Sequence, residues 1–294
     1  MKTLIVVLLS LALTSCNVQS QQHTASSAFE KGKTLSELTN KKLKELSGLT
    51  ESHRYPGMFW THNDSGNNAE IFLIDRDLNI KMVVTLQNID NRDWEDLTVG
   101  PGPDAQKSYV YVGDIGDNDA VYPYKYIYWF EEPEMNGNNI DISLDSVGKI
   151  TFQLEGAVKD TESLFIDPTS KDLYVISKRE NPVALYRLNA AEGTDTLTAR
   201  KIMNLPQHKT VSADYSPKDG LLIKNYDTIL WWENKQGMDL MTLLKESPVE
   251  VPYEKEPQGE SIAWLKDGSG FYTISETKKK TPTYLWFYER KPHN

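Results

Sequence analysis

Cysteine is almost missing from this chain. Its 294 residues include one, Cys16, so no disulfide can form within it. Basic residues are outnumbered, 32 Lys and Arg against 42 Asp and Glu, for a formal charge of −10. Such a surface repels nucleic acid and offers no polybasic footprint, which excludes a nucleic-acid polymer as partner. Histidine is scarce and scattered: His23, His53, His62, His208 and His293 form no group with cysteine, which excludes a zinc constellation. There is no G-x-S-x-G, no phosphate-binding glycine loop and no ordered Ser/His/Asp pattern, so no familiar nucleophile stands out. Long hydrophobic runs are missing too. The apolar stretch from Leu4 to Leu13 is too short to span a bilayer as a permanent helix.

That short run, with Lys2 before it and small residues after it, reads as a signal peptide over residues 1–15. The following "LTSC" resembles the bacterial lipobox, which implies that Cys16 becomes the lipidated first residue, carrying palmitate-type chains that hold the protein at a membrane. An ordinary signal peptide with an incidental Cys is the alternative. Asn17 follows, and no acidic cluster comes next, so the expected location is the outer membrane, facing the periplasm. Residues 16–32, polar and rich in Ser and Gln, read as a flexible tether. Residues 33–294 are then one domain, expected to be monomeric.

Apolar residues at 39% and charged residues at 25% allow a core to form. Aromatic runs such as "YKYIYWF" and "YLWFY" favour strands. Five stretches look alike: "ELSGLT", "DWEDLT", "DTESLF", "TVSADY" and "QGESIA". Aligned on their third positions, Ser47, Glu95, Glu162, Ser212 and Glu260, they are spaced 48, 67, 50 and 48 residues apart. A period near fifty fits propeller blades. Each unit repeats a strand plan, with a second strand ("MFWTHND", "YVYVGD", "LYVISK", "LLIKNY", "FYTISE"), a third, and in four units a fourth, the last of these less clearly at "LMTLLK". The fifth unit lacks its fourth strand, and residues 33–46 could supply it and close a ring. The fold class read from this pattern is all-β, a propeller of five four-stranded blades closed by an N-terminal segment, with six blades as the alternative. The excess in the long interval fits the loop "EEPEMNGNNIDISLDSVG" without another sheet.

In a blade, the innermost strand starts at the opening of the channel where its antiparallel neighbour ends. Ser47, Glu95, Glu162, Ser212 and Glu260 should therefore meet the exits "THNDSG", "GDIGDN", "SKREN", "KNYD" and "SETK" at one mouth. Glutamates converging there must be hydrated, protonated, paired with a cationic side chain or bound to metal. An all-oxygen set favours a hard cation such as Ca²⁺. The plain alternative is that these side chains serve backbone groups of adjacent blades. Asp64, Asp114, Asp117 and Asn118 could be ligands, could lie behind the ligands, or could simply form turns. Lys178, Arg179 and Lys224 could take an anionic ligand, or could neutralise Glu162 and Glu180. Trp and Tyr residues should mostly pack between blades, with Trp94 and Tyr226 flanking the mouth.

The order Ser, Glu, Glu, Ser, Glu, with "YVYVGDIGDN", "LYVISKREN" and "FYTISETK", resembles the calcium-activated nucleotidases (apyrases), which implies five blades and a central calcium. The phrases "WTHNDSG", "DWEDL" and "GDIGDN" resemble more closely a group of bacterial secreted propellers grouped with the TolB-like type, which implies no chemistry. Two functions follow. One is an envelope-anchored binding or scaffold module for a small anionic ligand or a protein partner, with calcium as a structural plug. The other is a calcium-dependent hydrolase of phosphorylated or other anionic esters. There Asp114 or Glu276 would act as base, and Lys178 and Arg179 would offset developing negative charge.

Overall fold

The structure is a computed structural model that describes residues 24–135, 141–145, 147–189, 196–278 and 281–292. The signal segment, Cys16 and the first part of the expected tether lie outside the described residues. The chain is a β-propeller. Its first strand, β1 (Lys33–Glu37), lies antiparallel against its last, β21 (Tyr284–Glu289). The N-terminal segment therefore completes the final sheet, as the missing fourth strand of the last repeat demands, and covers an edge that would otherwise be exposed.

Between these ends the pairings form four further antiparallel units. The first is β2 (Leu46–Glu51), β3 (Phe59–Asn63), β4 (Glu70–Ile74) and β5 (Ile80–Leu86). The second is β6 (Trp94–Pro101), β7 (Ser108–Asp114), β8 (Lys125–Glu131) and β10 (Gly148–Leu154). The third is β11 (Thr161–Ile166), β12 (Leu173–Ser177), β13 (Val183–Leu188) and β14 (Leu197–Leu205). The fourth is β15 (Thr210–Ser216), β16 (Gly220–Asn225), β17 (Ile229–Glu233) and β18 (Val249–Val251). The last unit starts with β19 (Gly259–Trp264) and β20 (Gly270–Ser275). The starting strands β2, β6, β11, β15 and β19 neighbour one another in a closed ring around the channel. The long interval between the second and third repeats holds β9 (Asp141–Leu144), which pairs parallel with β5 as an extra outer strand of the first unit.

Side chains alternate across each strand, so each unit offers an apolar face to both neighbours. Leu164 packs toward the second unit among Tyr111, Ile127 and Phe152. Phe165, the next residue, packs toward the fourth among Leu221 and Trp232. The aromatic runs are spent in these interfaces, with Trp60 and Trp94 between the first two units and Trp231, Trp264 and Phe271 between the last two.

Two expectations need correction. "LMTLLK" is not the fourth strand of its unit. It forms a short helix, α1 (Leu240–Leu243), capped by the Asp239 side chain, which accepts from Thr242 N, and the strand follows it as β18. Leu240, Leu243 and Leu244 are buried at helical spacing, a three-and-four pattern that a strand cannot present to one face. The expected tether is also bound to the fold from Thr24 onward. Ser26 N donates to Glu250 O at 2.7 Å, Glu250 N to Thr24 O at 3.0 Å, and Lys291 N to Ala28 O at 2.8 Å. Phe29 is 2% exposed and sits edge-on to Trp231 and Phe271, both at 5.0 Å.

The innermost strands have no further strand to pair with, so side chains from other units serve their free edges. Asp96 does most of this. Its carboxylate accepts from Leu97 N (2.9 Å), Leu164 N (3.1 Å), Ala213 N (3.3 Å) and Ser212 Oγ (3.2 Å), tying three inner strands together across the channel. Asp96→Ala should cost at least about 3 kcal/mol, since it strands at least two buried amides and a hydroxyl. Urea denaturation measures this, and a loss below about 1 kcal/mol would mean that the amides find other partners.

Candidate metal-binding channel mouth

Every inner strand carries a bulge near its start, read from a one-residue shift against its neighbour. The extra residue is Gly48, Glu95, Glu162, Val211 and Glu260 in turn. Bulges redirect a side chain out of the ladder, and here three of them aim glutamates at the mouth. Gly48 has φ +71, a conformation that suits glycine. The register expected from sequence is one residue off in two units, because Ser47 precedes its bulge and Ser212 follows its own. Both serines serve backbone: Ser47 Oγ donates to Glu95 O at 2.5 Å, and Ser212 Oγ accepts from Ile262 N at 3.3 Å besides donating to Asp96.

The second strands exit at the same end. The residues one beyond the last paired positions are Asp64, Ile115, Lys178, Tyr226 and Glu276. Lys178, Tyr226 and Glu276 find their partners in the bulge ring. Lys178 Nζ is 2.5 Å from Glu162 Oε1, and Tyr226 donates its hydroxyl to Glu260 Oε1 at 2.5 Å. Glu276 is hydrogen-bonded to Glu260 as well. Asp64, Asp93 and Glu95 each offer a carboxylate oxygen within 4.8 Å of the other two. Asp93 was not singled out by the repeat alignment. Its signal is the spacing D-x-E in "DWE", which "DTE" repeats with Asp160 and Glu162.

The stretch "GDIGDN" divides its labour. Ile115 holds the exit position but packs its side chain among Tyr111, Ile127 and Leu164, while Gly116 makes room: a Cβ there would collide with Glu95 Oε1 and with the Asp93 carboxylate. Asp114 is the paired residue before the exit, so alternation turns it away from the ring. It is buried, 3.2 Å from Arg92 Nε. Asp117 folds the loop, accepting from Val121 N and Tyr122 N at 2.8 Å each, and its own N–H donates to Asp160 Oδ1. Asn118 is bonded by Arg179, which also pairs with Asp160 at 2.8 Å. Glu180 is held by Lys159, and fully buried Lys224 faces Glu256 and Gly259 O. The cationic groups at these exits are thus already paired.

Burial pushes Glu95 well above the usual carboxylate range, with Glu162, Asp64 and Asp93 adding repulsion. Asp64 is lifted to about 6 by burial, with Glu260 and Asp93 adding to the lift. Asp93 is raised by burial and by Asp160. Glu276 is lifted to about 8 by burial and Glu260. Burial raises Glu162 while Lys178 pulls it back, and the Lys178 ammonium is held charged by Glu162, Glu95 and Glu260 despite its own burial. Lys178 faces the ring directly, and of these three acids Lys125 and Arg92 act on Asp93 alone, so the acids still outnumber the cations and the group of Asp64, Asp93 and Glu95 requires protons or a further cation. Its all-oxygen donors fit a hard divalent ion. Of the five residues expected as ligands, Glu95 alone belongs to it. Glu162 and Glu260 lie beside it, bound to Lys178 and to Tyr226.

No family model matches the chain, and no curated protein does. The apyrase and TolB-like resemblances therefore stand on their motifs alone. Among solved structures, a PQQ-bound aldose sugar dehydrogenase from Streptomyces coelicolor matches at TM-score 0.52 and 8% identity, over 92% of this chain and 100% of that one. A gluconolactonase from Xanthomonas campestris gives 0.46 and 10%, over 88% and 89%. At such identity the first match speaks for the propeller fold and nothing finer.

Proposed function

We propose that this propeller is an envelope-anchored binding module whose channel mouth holds a divalent cation of the calcium type on Asp64, Asp93 and Glu95. The observation that carries the reading is the convergence of those three carboxylates, from two units, in a site that raises the proton affinity of each. A bound ion would supply the positive charge that the site lacks, and its open face could take an oxygen of an anionic ligand. Glu162, Glu260 and Glu276 surround the group, with Lys178 limiting their repulsion. Lipidation at Cys16 would hold the domain at the outer membrane. Cys16→Ser should then move the protein from the membrane fraction to the soluble one, and unchanged fractionation would remove the anchor from the proposal.

Calcium should raise the melting temperature of chelator-treated protein by mass action. Asp93→Asn and Glu95→Gln should each reduce that rise, whereas Ser47→Ala should keep it, because Ser47 bonds to backbone. Equal rises in all four proteins would argue against these ligands.

Metal-dependent hydrolysis is the second reading, favoured by Glu276, an acid lifted to about 8 near the cation group. It ranks lower because the other proposed participants are committed elsewhere: Asp114 to Arg92, Lys178 to Glu162 and Arg179 to Asp160. A panel of nucleotides, phosphomonoesters and aryl esters, with and without calcium, separates the two. Calcium-dependent turnover lost in Glu276→Gln would support hydrolysis.

A further inference from the structure

The opposite end of the channel has a different character. Asp96 and its bonds to three inner strands separate it from the acidic mouth. Beyond that point lies a cavity of about 360 Å³, to which every inner strand contributes a side chain near its end. Val99, Ile166, Tyr215, Trp264 and Leu265 make its walls, and all five are buried. The size is that of a small-molecule pocket, and its surface is more apolar than polar, with the polar groups spread among apolar walls.

Two of those polar groups are carboxylates. Asp214 is fixed at the wall by Trp264 N at 2.7 Å and Tyr215 N at 2.9 Å, one on each oxygen. Glu51 is fixed in the same way by Gly57 N at 2.7 Å and Lys266 N at 2.5 Å. Each oxygen so bonded retains acceptor capacity. Neither carboxylate has an ion-pair partner among the described residues, although both border a space whose walls are mostly apolar. Lys218 and Lys266 stand at the rim, exposed to solvent. Two further ionisable groups line it: His53 is lowered to about 4 by burial and by Lys266, and burial raises the Tyr215 phenol, so both stay neutral at pH 8. Glu51 is buried and Asp214 half-buried; an acid so shielded and without a cation is costly, and a ligand that brings the missing charge recovers part of that cost.

We propose that this second opening is a binding site for a small amphiphilic organic cation, a primary amine on an aromatic or branched apolar body, with its ammonium on Asp214 and Glu51 and its body against the Trp264 and Ile166 wall. The site does not depend on the cation group at the other mouth.

The test is calorimetric titration of the mature protein with 2-phenylethylamine, with its neutral isostere 2-phenylethanol and with the anion 3-phenylpropionate. It is run at pH 8, where Asp214, which burial lifts to about 7, is ionised. The amine should bind at millimolar concentrations or below, at least about tenfold more tightly than the alcohol, and the anion should give no heat. Asp214→Asn should bring the amine down to the alcohol's affinity. Glu51→Gln should weaken the amine severalfold without affecting the alcohol. If Asp214→Asn fails to fold, the ranking of the three probes in wild-type protein still decides. No heat from the amine at millimolar concentrations, or equal binding of amine and alcohol, would overturn the proposal. Preferred binding of the anion would do the same and would point to Lys218 and Lys266 instead.

Discussion

Phe29→Ala should cost about 3–5 kcal/mol, the usual toll for removing a buried phenylalanine and leaving a cavity. Phe29 lies in a segment whose composition suggests an idle linker, yet its ring contacts Trp231, Trp264 and Phe271, which come from both of the last two units. The peptide around it is hydrogen-bonded on both sides, to Glu250 and to Glu289. It acts as a latch over the seam between these units and leads directly into β1. Removing residues 24–37 should be worse still. It would take away the latch and the strand paired with β21, leaving an aromatic edge open to association. Urea denaturation of the point variant and size-exclusion chromatography of the truncation measure the two effects. A change within about 0.5 kcal/mol for Phe29→Ala would show that the segment only rests on the surface.

Without metal, stability should fall as the pH rises from about 6.5 to about 8. Within this window Glu276, lifted to about 8, binds protons more tightly in the folded chain than in the unfolded one, and buried Glu95 adds in the same direction. Where the folded state holds more protons, stability declines with pH. The window is set by groups of opposite sense on either side. His53 and His62 are lowered to about 4 by burial, so they raise stability with pH, but only up to the ordinary histidine range. Lys125 and Lys224 are lowered to about 8 by burial and raise stability only above that. The decline should be on the order of a few kcal/mol after allowance for solvent screening. Calcium should flatten it, because a bound cation replaces the protons. Glu276→Gln should remove part of the slope. Metal-free stability that stays level or rises across this window would contradict the repulsive mouth.

The propeller was legible because its signals are periodic. The five opening stretches, the alternating aromatic second and third strands and the missing last strand all point to one ring with a borrowed N-terminal strand. The mouth was legible in location but less so in detail. A β-bulge adds a residue without a sequence marker, and a shift of one residue moves a side chain to the other face. Ser47 and Ser212 were therefore aligned with glutamates that they do not match in space. The same alternation turns Asp114 away from the ring, to Arg92, and the exit position falls to Ile115, which packs into the apolar interface. Asp93 stands outside the repeated third position, and the D-x-E spacing it shares with Asp160 and Glu162 is its only sequence signal. Asp96 and Asp214 carry no motif, since their value lies in amides of other units. The tether misled through composition: one phenylalanine among polar residues settles its fate, and averages over the segment dilute it.

Asp64, Asp93 and Glu95 are the proposed ligands of the cation at the mouth. Calorimetric titration of chelator-treated protein with CaCl₂ at pH 8 tests this most directly, beside Asp93→Asn and Glu95→Gln titrated under the same conditions. A site of three raised carboxyl groups predicts saturable binding near one ion per chain, accompanied by proton release, since the acids must give up their protons to the metal. It predicts that each variant binds at least about tenfold more weakly, because each loses one of three ligand charges. Wild-type protein that shows no heat at millimolar calcium, or variants that bind as wild type does, would contradict it and leave the mouth as a proton-sharing cluster of carboxyl groups.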